Sequence, residues 1–446
     1  MNGIATFVVI LCAAALVVVP RRWGPLPVLI GTCYVPYYLG IQLGPFHLTA
    51  VRLLVAVGVI RIISKREWPA GGTNSLDRVL LVWAAWLLLT SVFHESRSSP
   101  LVYRLGLAYD ALGIYVLFRS FCQSAEEIRG LARQAVIALV PLSFEMLYEH
   151  VTVHNLFSVF GGVGDTPIVR EGRVRANGPF GHPILAGTVG AICLPLVTSL
   201  WKSHRKAALI GIAACLAIVI LSASSGPILS ALSGLFALYL WRYRARIHYF
   251  KWYAVAAYIG LDLIMKDPAY FIIARVDLAG GSTSWYRARL IQSAFEHLPE
   301  WWLAGTDYTR HWMWVVVSWS PNHTDITSHY IQMGIWGGLP LLLLFIWVLS
   351  RAFGGVANAA RQLASSSSND AFAVWTLGSS LFVIAVTGLS VSYFDQSVTY
   401  VFIILGAIGS ISPAPVYAGS ADSRKPDSSR NQHKERKAHL TNKRRA

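Results

Sequence analysis

The chain has 446 residues, of which 54% are hydrophobic and only 13% charged, with a formal net charge of +16. A soluble domain carries about 25% charged residues, so a water-soluble globule is excluded. Repeated apolar runs of about 20 residues predict an all-α fold: a polytopic helical membrane protein with about 12–13 transmembrane helices and one large external loop.

The first run, 3–20, has no cleavage site of small residues and reads as a span rather than a removable signal. Runs follow at 25–43, 46–63, 78–93, 102–121 and 134–153. The run at 102–121 carries Arg104 and Asp110, six residues apart; they are not helical neighbours and must find other partners. After an extended polar segment come 183–201, 207–222, 226–241 and 250–266, and after a longer one 327–350, 371–391 and 397–413.

Lys and Arg at 64–66, 202–206, 242–251, 351–361 and in the tail alternate onto one side, which is assigned to the cytoplasm. Residues 154–182 and 267–326 then face outward as the presumed site. Thirteen spans place the N-terminus outside, whereas a half-span near 25–43 places it inside. The transmembrane helical domain covers 1–413, and 414–446 is expected to be a basic, disordered cytoplasmic tail. Within it, residues 422–446 hold nine Lys/Arg against three acids and almost nothing apolar, a composition that cannot bury a core. Such a tail suits the anionic headgroups of membrane lipids. Without interleaved aromatics it does not suggest nucleic acid. The five cysteines (Cys12, Cys33, Cys122, Cys193, Cys215) lie in or at the ends of apolar runs and lack metal-ligand spacing.

The first external segment ends Arg170-Glu-Gly-Arg173-Val-Arg175-Ala-Asn-Gly178-Pro-Phe-Gly-His182-Pro183, where Pro183 suits the first turn of a helix. Three arginines within six residues run against the positive-inside bias. Either they pair with Glu171 and Asp165, or they form an anion site, since guanidinium forks match phosphate oxygens bidentately.

The second segment holds six of the sixteen tryptophans: Trp285, Trp301, Trp302, Trp312, Trp314 and Trp319. They read as an interfacial belt or as flat surfaces for sugar rings and isoprenoid chains. Arg275, Arg287, Arg289 and Arg310 stand in the same segment with His297, His311 and His323. Arginine and histidine in one pocket could hold a diphosphate leaving group and deprotonate an incoming hydroxyl.

His323-Thr324, then nine residues, then Gly334-Ile-Trp-Gly337 lead into the next span. Were the stretch helical, His323 would sit roughly 16 Å above Gly334. His329, in a polar stretch at the start of the span, competes for the same role or makes a structural hydrogen bond. Gly334, Gly337 and Gly338 suit close helix packing. His323 and His329 are not spaced as a metal pair, and no carboxylate cluster accompanies them; neither a metal nor a cofactor is expected.

These stretches resemble the O-antigen ligase and O-antigen polymerase superfamily of bacterial envelope glycosyltransferases. The late motif is similar to that family's His, then Asn, Ser or Gln, nine residues, then Gly-x-x-Gly, with Thr324 departing at the second place. Arg175 to Pro183 is similar to its Arg-x-x-Gly-x-Phe-x-x-Pro, and Ser284-Trp-Tyr-Arg287 with Ala294-Phe295 and Ala304-Gly305 resembles the start of its large periplasmic segment. Ser224-Ser225-Gly226 stands where many members carry Ser-Arg-Gly, so an arginine for the lipid diphosphate is missing there, and Arg173, Arg175 or Arg289 would replace it. The resemblance spans roughly 75–410.

It implies a metal-independent, inverting transfer from a polyprenyl-diphosphate-linked glycan to a sugar hydroxyl, on a glycan or lipid-linked acceptor, at the outer side of the bacterial inner membrane. His323 would be the base and Arg287 a diphosphate ligand. Arg173, Arg175, Arg289, His329 and Trp302 would contact substrate. Ligase and polymerase differ in acceptor. The alternative is a transporter or flippase for a lipid-linked or anionic solute, which predicts inverted repeats and charged or broken helices at the midplane. No clear repeat is present, and the polar groups concentrate on one face; Glu145, Glu149 and Asp262 fit ordinary helix termini.

Overall fold

The computed structural model describes residues 1–94, 98–275, 284–317 and 320–411. Trp319 and the basic tail at 414–446 lie outside the described residues. Met1–Pro413 forms one compact unit, helices take 72% of the structure, and no sheet closes among the described residues.

Each apolar run becomes a helix: α1 Gly3–Val18, α2 Pro25–Tyr34, α3 Ala50–Lys65, α4 Ser75–Leu89, α5 Ser98–Phe121, α6 Ala125–Thr152, α7 Pro183–Thr198, α8 Arg205–Leu221, α9 Ser225–Tyr239 and α10 Phe250–Ile264. The long second segment adds α11 Ser284–Glu296 and α12 Leu298–Trp301, after which come α13 His329–Ala364, α14 Ser368–Thr387 and α15 Gln396–Ile411. Five stretches are long and apolar enough to cross a membrane by themselves: Ser75–Phe93, Pro100–Phe121, Ala125–Thr152, His329–Ala364 and Ser368–Thr387.

Polar caps fix the helix starts. Asn74 and Asp77 form a reciprocal capping box on α4, and the Ser124 hydroxyl accepts from Glu127 N at 3.2 Å on α6. Large apolar side chains remain open on the outside of the bundle, among them Phe7, Ile60, Phe144, Ile220 and Leu343. In water such a surface would drive association; in hydrocarbon it is the favourable one.

α1 and α3 end together: Lys65 Nζ donates to Val17 O at 2.6 Å, and Arg61 Nη1 to Leu16 O at 2.5 Å. The N-terminus therefore lies at the other end, where Asn2 Nδ2 donates to Val159 O at 2.7 Å and the Met1 ammonium to Gly40 O at 3.1 Å. This puts it at the same end of the bundle as the 154–182 segment.

The run at 25–43 is only half helix. Val35, the residue before Pro36, is extended at φ −97°, ψ 118° and stops α2 after ten residues. Strands β1 Gly40–Leu43 and β2 Phe46–Thr49 then form an antiparallel hairpin. Arg104 and Asp110 do find separate partners. Arg104 Nη1 donates to Thr90 Oγ1 at 2.9 Å, while Asp110 accepts from Tyr37 OH at 3.0 Å and pairs with Arg52 at 3.3 Å.

Candidate functional site

The arginine-rich segment folds as a second hairpin, β3 Ile168–Arg170 against β4 Arg173–Arg175. Its two-residue turn, Glu171 at φ 51° and Gly172 at φ 73°, has the positive φ values that match strand twist. Behind it, Glu149 at the end of α6 accepts from Asn177 N at 3.0 Å and Gly178 N at 2.8 Å. Glu145 accepts from Leu156 N at 3.1 Å. These carboxylates hold the loop by its backbone and leave the arginines alone. Asp165, one expected partner of those arginines, pairs with His154 at 3.0 Å instead.

Arg175 is buried, and its Nη2 donates to Ser224 Oγ at 2.6 Å. Ser224 stands in the turn between α8 and α9. Its buried Nε has no hydrogen-bond partner among the described residues.

Arg287 approaches from α11. Tyr286 OH donates to Asp325 O at 2.7 Å and lies 3.1 Å from Thr324 Oγ1, which docks the helix on the chain around His323. The Arg287 side chain is buried, and its Nε likewise lacks a partner among the described residues. Burial lowers the pKa of Arg287, with Asp325 opposing and Arg170 reinforcing; burial, then Arg170 and Arg287, lower that of Arg175. His182, beside the same groups, is held down at about 4 by burial, then Arg175, Arg170 and Arg287. Three arginines from two segments and one neutral imidazole therefore share a field.

His323 lies on strand β6 Ser320–Thr324, paired with β5 Val316–Val317, and not on a helix. The helical height of roughly 16 Å above Gly334 therefore does not apply: α13 begins only at His329. Its Nδ1 is 3.4 Å from Thr309 Oγ1. Burial lowers its pKa, opposed by Asp307 and reinforced by His94. His94 bonds Asp307 through Nδ1 and receives Arg104 Nη2 on Nε2 at 2.6 Å. The electrostatic neighbours of His323 thus differ from those of Arg287: two clusters stand side by side at one end of the bundle, joined through Tyr286 and Thr324.

Other expected site residues fall elsewhere. His329 is enclosed by the protein: its backbone N–H donates to Gly388 O at 2.8 Å, its Nδ1 accepts from Tyr393 N at 3.2 Å, and Phe345 and Tyr393 pack its ring. That is a packing role, not contact with substrate. Arg289 points away from Arg287 on α11 and pairs with Glu296 at 3.5 Å. Trp302 is half exposed, and its carbonyl accepts from Leu339 N at 2.8 Å. Arg173 lines an open cleft of about 460 Å³ with His150, Val174, Ile220, Ala223 and Ile228.

The glycines do more than let helices approach. α13 breaks at Gly337 and at Gly338, where φ is 72°. The freed backbone groups bond across: Trp86 Nε1 donates to Gly337 O at 2.8 Å and Thr306 N to Ile335 O at 3.0 Å. A Cβ on Gly305 would overlap the Ile335 carbonyl, and one on Gly338 the Leu303 carbonyl. The motif is thus a crossing of residues 302–306 over the break in α13.

Sequence reasoning singled out Arg170 within the run of three arginines but missed His182 as a site member. It also missed His94 and Asp307, whose meeting across 213 positions has no local signature. No protein family, curated protein or solved structure matches the chain.

Proposed function

We propose that this membrane protein transfers a glycan from a polyprenyl-diphosphate carrier to a sugar hydroxyl at the end of the bundle bearing 154–182 and 267–326, as an O-antigen ligase or polymerase does at the outer side of the bacterial inner membrane. The observation that carries the reading is the pair of buried arginines, Arg175 and Arg287, which together with the exposed Arg170 act electrostatically on His182. Guanidinium forks in a water-poor site are the groups that stabilise a departing diphosphate. The open cleft beside Arg173, with Ile220 and Ile228 in its wall, offers the carrier's isoprenoid chain an apolar bed next to those arginines.

His323 is the base. Burial lowers its pKa, which favours the neutral imidazole a base requires. In the tautomer that directs Nδ1–H toward Thr309 Oγ1, Nε2 is the basic nitrogen that takes the acceptor hydroxyl's proton. The hydroxyl oxygen attacks the anomeric carbon from the face opposite the diphosphate. The new C–O bond forms as the sugar–phosphate bond breaks, inverting the centre, and the released negative charge falls to Arg287 and Arg175. The bond to the diphosphate supplies the driving force, so no nucleotide is required.

The test is glycan length or transfer in membranes, normalised to protein level, for His323→Ala and His329→Ala. A positioned base contributes roughly 10²–10⁴-fold, so His323→Ala loses product at normal expression. His329→Ala removes a buried packing group and lowers folded protein instead. Full activity in His323→Ala would end the mechanism and favour transport of a lipid-linked solute.

A further inference from the structure

We infer that His297, Glu300 and His311 form a structural site for a transition-metal dication of the zinc type. The three ligand atoms lie within 4.8 Å of one another, on the outer surface of the 267–326 segment and apart from both clusters above. Two imidazole nitrogens and one carboxylate suit Zn²⁺, with water in the fourth position; Mg²⁺ and Ca²⁺ prefer all-oxygen shells.

The surroundings are those of a prepared ligand set. His297 Nδ1–H donates to Ser293 O at 2.9 Å, which fixes the tautomer and leaves Nε2 with a free lone pair. Second-shell carbonyls orient metal-binding histidines in this way. Glu300 is held by Trp312 Nε1–H at 3.1 Å, and His311 Nε2 stands 3.0 Å from both its oxygens. Both rings are fixed by stacking, His297 on Trp312 and His311 on Tyr308. A metal in place of the proton between His311 and Glu300 draws in His297, three residues back from Glu300.

The consequence is mechanical. His297 and Glu300 belong to the α11–α12 bend, and His311 to the loop that follows Gly305. That loop carries Asp307 and Thr309, the neighbours of His323. A metal bridge would therefore lock the loop supporting His323 onto the helix bearing Arg287. The inference stands whatever reaction the protein performs.

The experiment uses the purified full-length protein in detergent, stripped with EDTA, then given ZnCl₂ or MgCl₂. Bound metal is measured after gel filtration, and melting is followed by tryptophan fluorescence. The expected result is a raised melting temperature with zinc, none with magnesium, and one zinc fewer per chain in the His297→Ala/His311→Ala variant, with loss of the shift. Equal zinc and an equal shift in wild type and variant, or no zinc retained by wild type, would overturn the proposal. Should the double variant fail to fold, Glu300→Gln keeps acceptors for Trp312 and His311 while weakening a ligand; unchanged zinc affinity there would overturn it equally.

Discussion

Arg287→Lys separates charge from geometry at the proposed diphosphate site. Lysine keeps the positive charge that Arg287 adds beside Arg170 and Arg175, but it cannot present two parallel N–H groups to phosphate oxygens. Hydrogen bonds to charged partners contribute about 1.5–3 kcal/mol each. Loss of one limb of a fork should therefore slow transfer by roughly 10- to 150-fold. The fold should not feel the change. α11 is held by Tyr286, Leu290 and Ala294 packed against Trp301, Trp312, Ile331 and Ile335, and by the Tyr286 bond to Asp325 O, none of which involves the guanidinium. The assay is product formed in membranes at matched protein level, with melting of the purified variant as control. Near-wild-type transfer at a normal melting temperature would remove Arg287 from the site; a collapsed melting temperature would show that the residue is structural and refute the packing argument.

Three further outcomes follow from the same geometry. All five native cysteines are buried, so single cysteines report sidedness: Glu171→Cys should react with an impermeant reagent from outside and Ser203→Cys should not, and the reverse would invert the topology. Gly338→Ala should cost about 2–4 kcal/mol, from αL strain and overlap with the Leu303 carbonyl, and lower folded yield; Gly354→Ala, which meets nothing within 4 Å inside a helix, should be neutral or gain up to about 1 kcal/mol, as read from melting of both. His182 has its folded pKa pushed to about 4, below the usual 6.5, so the unfolded chain binds the extra proton between those values. Stability is complete above about pH 6.5 and falls toward pH 4 by at most about 3 kcal/mol, and His182→Gln should flatten the melting temperature between pH 7 and 5.

The helices were legible because lipid imposes a run length and an apolar composition, and both survive in a single sequence. The one run left open between a full span and a half-span, 25–43, stops at Pro36, whose effect on Val35 outweighs the apolar character of Ile41 and Leu43 on the hairpin beyond. The site was legible by halves. Arg175 and Arg287 stand out as outward arginines, but the 112 positions between them hide that they share a field. His323 was found by spacing, yet its strand depends on a pairing of Val316 with Thr324 and on Thr309, which no helical periodicity encodes. The Gly334 to Gly338 stretch looked like helix packing because small residues serve both purposes; only the path of residues 301–306 reveals a backbone crossing.

The acids at this end of the bundle explain why the arginines are left with so little compensation. Glu149 is taken by the amides of Asn177 and Gly178, Glu145 by that of Leu156, and Asp165 by His154. Asp395 accepts from Gly181 N at 2.5 Å, and burial raises its pKa to about 7, which reduces its negative charge near neutrality. Asp325 is the nearby carboxylate opposing Arg287, and burial raises its pKa too. These acids are engaged by backbone groups or by His154, or carry weakened charge, so the buried Arg175 and Arg287, with the exposed Arg170 acting on both, keep an excess of positive charge. Like charges gathered there cost free energy in the unliganded protein, and an anion with several oxygens offsets that cost at the point of use. A diphosphate carries its charge on such oxygens and gains more of it as the sugar departs. The same cluster would therefore hold the leaving group more strongly than the bound donor, which is the differential needed for catalysis rather than for binding alone.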